Sequence, residues 1–176
     1  MDTQKEQKVT EETLEQAMSY EEYRELIDEL LAQDKTTGDN HSDSYLHYSK
    51  MNVQRMSRLD KTIDLTDELK ETVDQLDFNI YLLGLTEAWC GDAAQNLPVF
   101  HKLAEYSDNI ELKLLLRDEN LEIMDQYLTN GGRAIPKVAA LESENLNELW
   151  NWGPRPEELQ QKYMEAKEES DFDYQE

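Results

Sequence analysis

Apolar positions are spread unevenly along the chain. Residues 1–18 are polar and acidic with weak helical periodicity, which predicts a loosely ordered segment. At Ser19 a helix begins: Ser19 followed three residues later by Glu22 is a capping box, in which each side chain satisfies the other residue's orphan N–H. Tyr23, Leu26, Ile27, Leu30 and Leu31 then repeat at helical spacing and form one apolar stripe. KTTGDN ends this helix, with Gly38 as the expected stop. SYLHYSKMNVQRMSRL (44–59) reads as a second helix.

From residue 61 the texture changes. KTIDL predicts a short edge strand, and TDELKETVDQL a helix with acids in its first turn. The continuous apolar runs NIYLLGL (79–85) and NIELKLLLRD (109–118) predict buried strands. Each is followed by a helical pattern, DAAQNLPVFHKLAEY (92–106) and ENLEIMDQYLTN. KVAALE (137–142) and NELWNWG (147–153) predict two further strands, PEELQQKYMEAKEE a closing helix, and DFDYQE an acidic tail. Two buried strands joined through a helix are expected to run parallel, and two strands close in sequence to form an antiparallel hairpin. The expected architecture is α/β: a central mixed sheet of four to five strands flanked by helices, with an N-terminal helical extension. Three segments follow: an acidic, helical extension over residues 1–60, a sheet-bearing domain over 61–168 and the tail at 169–176.

The formal net charge of −23 excludes nucleic acid as an expected partner, because a phosphate backbone repels such a surface and offers no counterion release. Anionic membrane surfaces are disfavoured likewise, and no apolar run approaches a spanning length. The N-terminus lacks a basic-then-apolar leader, so a reducing cytoplasm is the expected location. Against this charge, Lys50, Arg55, Arg58 and Lys61 form a cationic island faced only by Asp60 between residues 45 and 61. It reads first as a solvated face paired with the acids of the preceding helix, and second as a surface for an anionic ligand or a nearby thiolate.

The one cysteine rules out an intramolecular disulfide and a cysteine-based metal cluster within one chain; no metal or other cofactor is expected. Cys90 falls where the first buried strand ends and a helix begins. Backbone N–H groups there carry partial positive charge, so the expected shift of the thiol is downward, toward a nucleophilic thiolate. Gly91 permits a tight start to the helix and leaves the sulfur open, while Asp92 works against a second negative charge.

The segment Trp89-Cys90-Gly91-Asp92-Ala93 resembles the Trp-Cys-Gly-Pro-Cys motif of thioredoxins. Pro98, eight residues after Cys90, stands where that family kinks its active-site helix. Ile135-Pro136 stands where the family has its cis-proline loop, and Gly153 follows the last strand. The resemblance covers roughly residues 61–168, and KTTGDNHS with SKMNVQRMSRLDKT is similar to a bacterial single-cysteine branch. It implies a thioredoxin-like fold, Cys90 as the catalytic thiol, Trp89, Gly91, Asp92 and Ala93 as its neighbours, and Ile135 and Pro136 as backbone contacts for a bound substrate.

Two departures concern one step. The family's second cysteine is Ala93, and its buried acid falls at Gly84, so dithiol chemistry within one chain is excluded. Monothiol exchange remains: Cys90 would attack a protein or low-molecular-weight disulfide, and an external thiol would resolve the product. A sulfenic-acid sensor or peroxidase ranks lower, for want of Thr and Arg placed to activate a peroxide. A second reading is a redox-inactive binding module. A third is glutathione or iron–sulfur binding in the style of monothiol glutaredoxins, although Thr86, Glu87 and Ala88 stand where those proteins place a basic residue.

His41, His47 and His101 read as surface or capping residues, and His101 lies too far along its helix to pair with Cys90. Glu87 reads as a solvated loop acid. Trp150 and Trp152 share a strand face and are expected to pack against the extension or the closing helix. The N-terminal stripe must cover either the core or a second chain, and the sequence leaves the oligomeric state open.

Overall fold

The computed structural model describes residues 9–169. Its order is α1 (Glu11–Gln16), α2 (Tyr20–Leu31), α3 (Asp43–Thr62), α4 (Asp67–Val73), β1 (Ile80–Thr86), α5 (Gly91–Tyr106), β2 (Ile110–Leu116), α6 (Leu121–Met124), β3 (Lys137–Glu142), β4 (Glu148–Trp152) and α7 (Glu157–Glu169), with a 3-10 turn at Arg117–Glu119. The sheet order is β2-β1-β3-β4. β1 and β2 are parallel from Ile80↔Ile110 to Thr86↔Leu116. β3 runs antiparallel to β1, and β4 antiparallel to β3. This is the mixed α/β sheet the pattern predicts, with four strands.

Three elements differ from the sequence reading. KTIDL forms no strand: α3 continues to Thr62, whose hydroxyl donates back to the Arg58 carbonyl at 2.9 Å. ENLEIMDQYLTN gives one helical turn, after which Tyr127 is buried and Thr129 and Gly132 exchange backbone hydrogen bonds at 2.9 Å. Within the segment predicted to be loose, residues 9–18 are ordered into the core. Thr10 and Thr13 form a capping box, Val9 and Leu14 are buried, and Met18 and Leu114 exchange backbone hydrogen bonds at 2.8 Å. Residues 1–8, and the tail beyond Glu169, lie outside the described residues.

α2 and α3 cover the core of the same chain. The predicted stripe is selective: Tyr23 and Ile27 are almost fully buried, as is Met56 of α3. Burying side chains of this size contributes about 1.5–3 kcal/mol each. The Ser19–Glu22 capping box closes as predicted, with Ser19 N–H donating to Glu22 Oε2 at 2.7 Å and Glu22 N–H to Ser19 Oγ at 3.1 Å. α2 ends before KTTGDN, with Asp34 in the left-handed region; Gly38, also at positive φ, lies further on in the connecting loop. Among the described residues, no helix is long and apolar enough to cross a membrane.

Candidate active site

The short loop from Thr86 to Cys90 joins β1 to α5, and side chains distant in sequence hold several of its polar groups. Tyr23 and Thr86 share a hydroxyl–hydroxyl hydrogen bond of 3.1 Å. Ala88 is clamped on both sides: its N–H donates to Thr37 Oγ1 at 2.8 Å, and its carbonyl accepts from Asn52 Nδ2 at 2.9 Å. Thr37 and Asn52 are themselves buried. Asn52 Oδ1 accepts from Arg55, whose Nη1 lies 3.2 Å from where a Cβ on Gly91 would sit. A guanidinium thus stands beside the position that a side chain on Gly91 would take. Tyr45 of α3 packs against the Trp89 ring at 5.1 Å between centroids.

Cys90 is the N-cap of α5. Its sulfur accepts the Ala93 N–H at 3.4 Å, and its thiol donates to the Ile135 carbonyl at 3.3 Å. The Ile135–Pro136 peptide is cis. These contacts bring the helix start and the 135–136 loop, 45 residues away in sequence, onto one sulfur. Cys90 is 9% exposed, and burial pushes its thiol up to about 11, against the pull of the Ala93 N–H and of Arg117. The expected downward shift is corrected: helix-end hydrogen bonding acts as anticipated, but removal from water outweighs it and Asp92 adds to the rise.

A family model described as thioredoxin matches residues 38–169. The chain belongs to the thioredoxin family. The match begins ahead of α3, so the helix that clamps Ala88 lies inside it. In fold the chain is similar to a crystal structure of a protein of unknown function from Pseudomonas aeruginosa, with a TM-score of 0.55 and 21% identity over 86% of each chain. A crystal structure of an HIV epitope-scaffold gives a TM-score of 0.56 and 24% identity over 81% of each chain. No curated protein matches.

At the position of the thioredoxin acid, a Cβ on Gly84 would lie 2.7 Å from Leu114 Cδ2, so that volume is taken by a leucine. Ala93, at the second-cysteine position, is buried in the first turn of α5. Glu87 departs most from its reading as a solvated acid. It is fully buried, and Oε1 accepts the Asp118 N–H at 2.9 Å. Burial raises its carboxyl above the usual carboxylate range, against that hydrogen bond. Gly153, at φ +118, passes so close to the Pro136 carbonyl oxygen that any Cβ would overlap it. Buried Lys137 donates to the Gly153 carbonyl at 2.8 Å and ties the start of β3 to that turn; burial lowers its ammonium below the usual lysine range.

The remaining candidates lie away from the sulfur. His101 stacks on Tyr20 at 4.2 Å, and His41 Nδ1 accepts the Thr36 N–H at 3.3 Å, a turn-capping role. Trp152 meets Phe100 of α5 edge-on, whereas Trp150, expected to pack, is 45% exposed. In the cationic island, the observed ion pair between α2 and α3 runs opposite to the expectation, from Arg24 to Asp60 at 2.6 Å, and Arg55 stands beside the cysteine turn. Among the described residues, no cluster of three or more His, Cys, Asp or Glu is placed to hold a metal ion.

Proposed function

We propose that this thioredoxin-family chain carries out monothiol thiol–disulfide exchange through Cys90. The observation that supports this reading is the sulfur's placement, at hydrogen-bond distance both from the Ala93 N–H and from the Ile135 carbonyl. The first contact stabilises a thiolate during attack and departure. The second puts the sulfur beside the backbone that, by family resemblance, would hold a bound disulfide. Cys90 thiolate attacks one sulfur of the disulfide, expels the other as a thiolate, and keeps the first in a mixed disulfide. An external thiol, supplied by a reducing compartment, then attacks the substrate-derived sulfur and releases Cys90 as a thiolate. No second cysteine takes part.

The buried, protonated thiol sets the conditions. Attack requires ionisation, so exchange is slow at neutral pH and accelerates with alkali. The test is incubation of the reduced protein with a small neutral disulfide at about pH 9, a value near ordinary thiol pKa, and detection of the mixed disulfide by intact mass. An adduct that forms on the folded wild type, is absent from Cys90→Ser and disappears on addition of a small thiol is the expected result. No adduct on the folded chain, where the unfolded chain reacts, refutes the reading. That outcome would favour a redox-inactive binding module, for which the specific support is the 9% exposure of Cys90.

A further inference from the structure

The cleft beside Cys90 has a volume of about 580 Å³, in the range of small-molecule sites. Its charge runs against the whole molecule. In a chain of net charge −23, its lining includes Arg117, Arg133, Arg155 and Lys167 against one acid, Asp92. These cations come from four places: the turn after β2, the loop before Ile135, the turn after β4, and α7. Aromatic faces seat two of them. Arg117 lies over Trp89 at 5.0 Å, and Arg155 over Tyr163 at 4.3 Å.

The three arginines also have acidic partners. Arg155 pairs with Asp92 at 2.7 Å, Arg117 with Asp118 at 2.8 Å, and Arg133 with Asp125 at 2.7 Å. The four cations thus outnumber by one the acids that line the cleft or pair with its arginines, Asp92, Asp118 and Asp125. Arg155 also donates from Nη1 to Gln160 at 3.2 Å, and Arg117 from Nε to Asp118 at 2.8 Å and from Nη1 to the Arg133 carbonyl at 3.2 Å. A guanidinium has five N–H donors, so each keeps donors for a further carboxylate.

We infer that this cleft selects a carboxylate-bearing low-molecular-weight thiol, or its disulfide, as the exchange partner of Cys90, with Arg117 and Arg155 as the specificity-determining residues. The inference rests on the exchange reading above and deepens it. In the forward half, Cys90 thiolate attacks the small-molecule sulfur of a protein mixed disulfide; the protein sulfur leaves as a thiolate and takes a proton from water. In the return half, a second molecule of the anionic thiol, as thiolate, attacks the small-molecule sulfur now bonded to Cys90. A symmetric small disulfide forms and Cys90 thiolate is released. Over the cycle one free small thiol is consumed: its sulfur and the small-molecule sulfur of the mixed disulfide end as one symmetric disulfide, and the protein sulfur is left as a thiol. The cleft cations act in both halves, by offsetting the repulsion between an anionic reagent and a strongly acidic protein.

The test uses three disulfides of similar size: dithiodipropionate, a dicarboxylate; hydroxyethyl disulfide, which is neutral; and a bis-quaternary-ammonium disulfide, whose charge is permanent. Adduct formation at Cys90 of the full-length protein is timed by intact mass at low ionic strength, and each rate is divided by that of the unfolded chain to remove intrinsic reactivity. The normalised dicarboxylate rate is expected to exceed the neutral one by about tenfold, the worth of one charge-assisted pair, and the dication is expected to be slowest. Arg155→Gln and Arg117→Gln should each reduce the dicarboxylate-to-neutral ratio, as should added salt. Equal normalised rates for all three probes on wild type would overturn the selectivity and leave the exchange reading standing. A ratio unchanged in both variants would overturn the assignment to these arginines. Failure of all three probes to react with the folded chain, where the unfolded chain reacts, would refute the exchange reading, and this inference with it.

Discussion

The state of Cys90 can be read from the pH dependence of its alkylation. Burial moves the thiol from 9.0 to about 11, which lowers the thiolate population at neutral pH about a hundredfold. Nucleophilicity rises with basicity, and a Brønsted slope of roughly 0.4–0.5 over that interval returns about tenfold. The folded protein should therefore react with iodoacetamide at pH 7 about tenfold more slowly than the unfolded chain, before any steric shielding by the surrounding side chains. More diagnostic is the slope: the log rate of the folded protein should still climb about one unit per pH unit beyond pH 9, where the unfolded chain has begun to level off. The same ionisation appears in stability. With the native value raised, the native state holds its proton longer than the unfolded state between 9.0 and about 11. The contribution to stability is therefore complete below that window and is lost as pH rises through it, by about 2–3 kcal/mol at about 1.4 kcal/mol per pH unit. Tyrosines also ionise at high pH, so the quantity to measure is the difference between wild type and Cys90→Ser in denaturant midpoint as pH is raised. An alkylation profile that levels off below about pH 8, with no wild-type-specific loss of stability in alkali, would refute the conclusion that burial outweighs the helix start.

Three further outcomes are expected. Asn52→Ala leaves the buried Ala88 carbonyl without its donor and should cost about 1–3 kcal/mol by denaturant unfolding; a smaller loss would mean that the clamp is dispensable. For Glu87, whose native value is raised by burial, the wild type loses stability as pH rises from the unfolded carboxylate value through the native one. Glu87→Gln should therefore be the more stable chain at neutral pH, with the advantage vanishing in acid, as chemical denaturation across pH would show. Ala93→Cys places a second thiol one helical turn from Cys90, where the Ala93 N–H already meets the sulfur, a spacing suited to a disulfide. Mild oxidation should remove both free thiols without dimer formation, and retention of two titratable thiols would count against it.

How far these features were legible depends on the range of the interactions behind them. The Ser19–Glu22 capping box and the apolar runs of β1 and β2 are written within a few adjacent residues, and they form where the pattern predicts. KTIDL alternates like a strand, but the helix ahead of it does not stop where its apolar stripe weakens; Thr62 is the last residue of α3, and its hydroxyl donates to the Arg58 carbonyl. The strand-to-helix junction that carries Trp89, Cys90 and Gly91 is legible because it is a local pattern. The environment of that junction is not local. Asn52 and Thr37 lie 36 and 51 residues from the Ala88 they hold, and Asp118 lies 31 residues from Glu87.

The two misread ionisations have that same origin. A helix start lowering a thiol, and an acid on a loop reaching solvent, are inferences from neighbours in sequence. Burial is the largest influence on both groups in the folded chain, and distant segments supply it. For Glu87 these include the 36–38 loop, where an ideal Gly38 Cβ would lie 3.8 Å from Glu87 Oε2, and the turn after β2. For Cys90 they include the Ile135 loop, with α7 lining the cleft beyond. The local motif thus sets where the sulfur stands, while its proton affinity is set by which segments close over it. A substitution that opens one of those segments should move the Cys90 thiol toward its ordinary value without altering any residue of the motif.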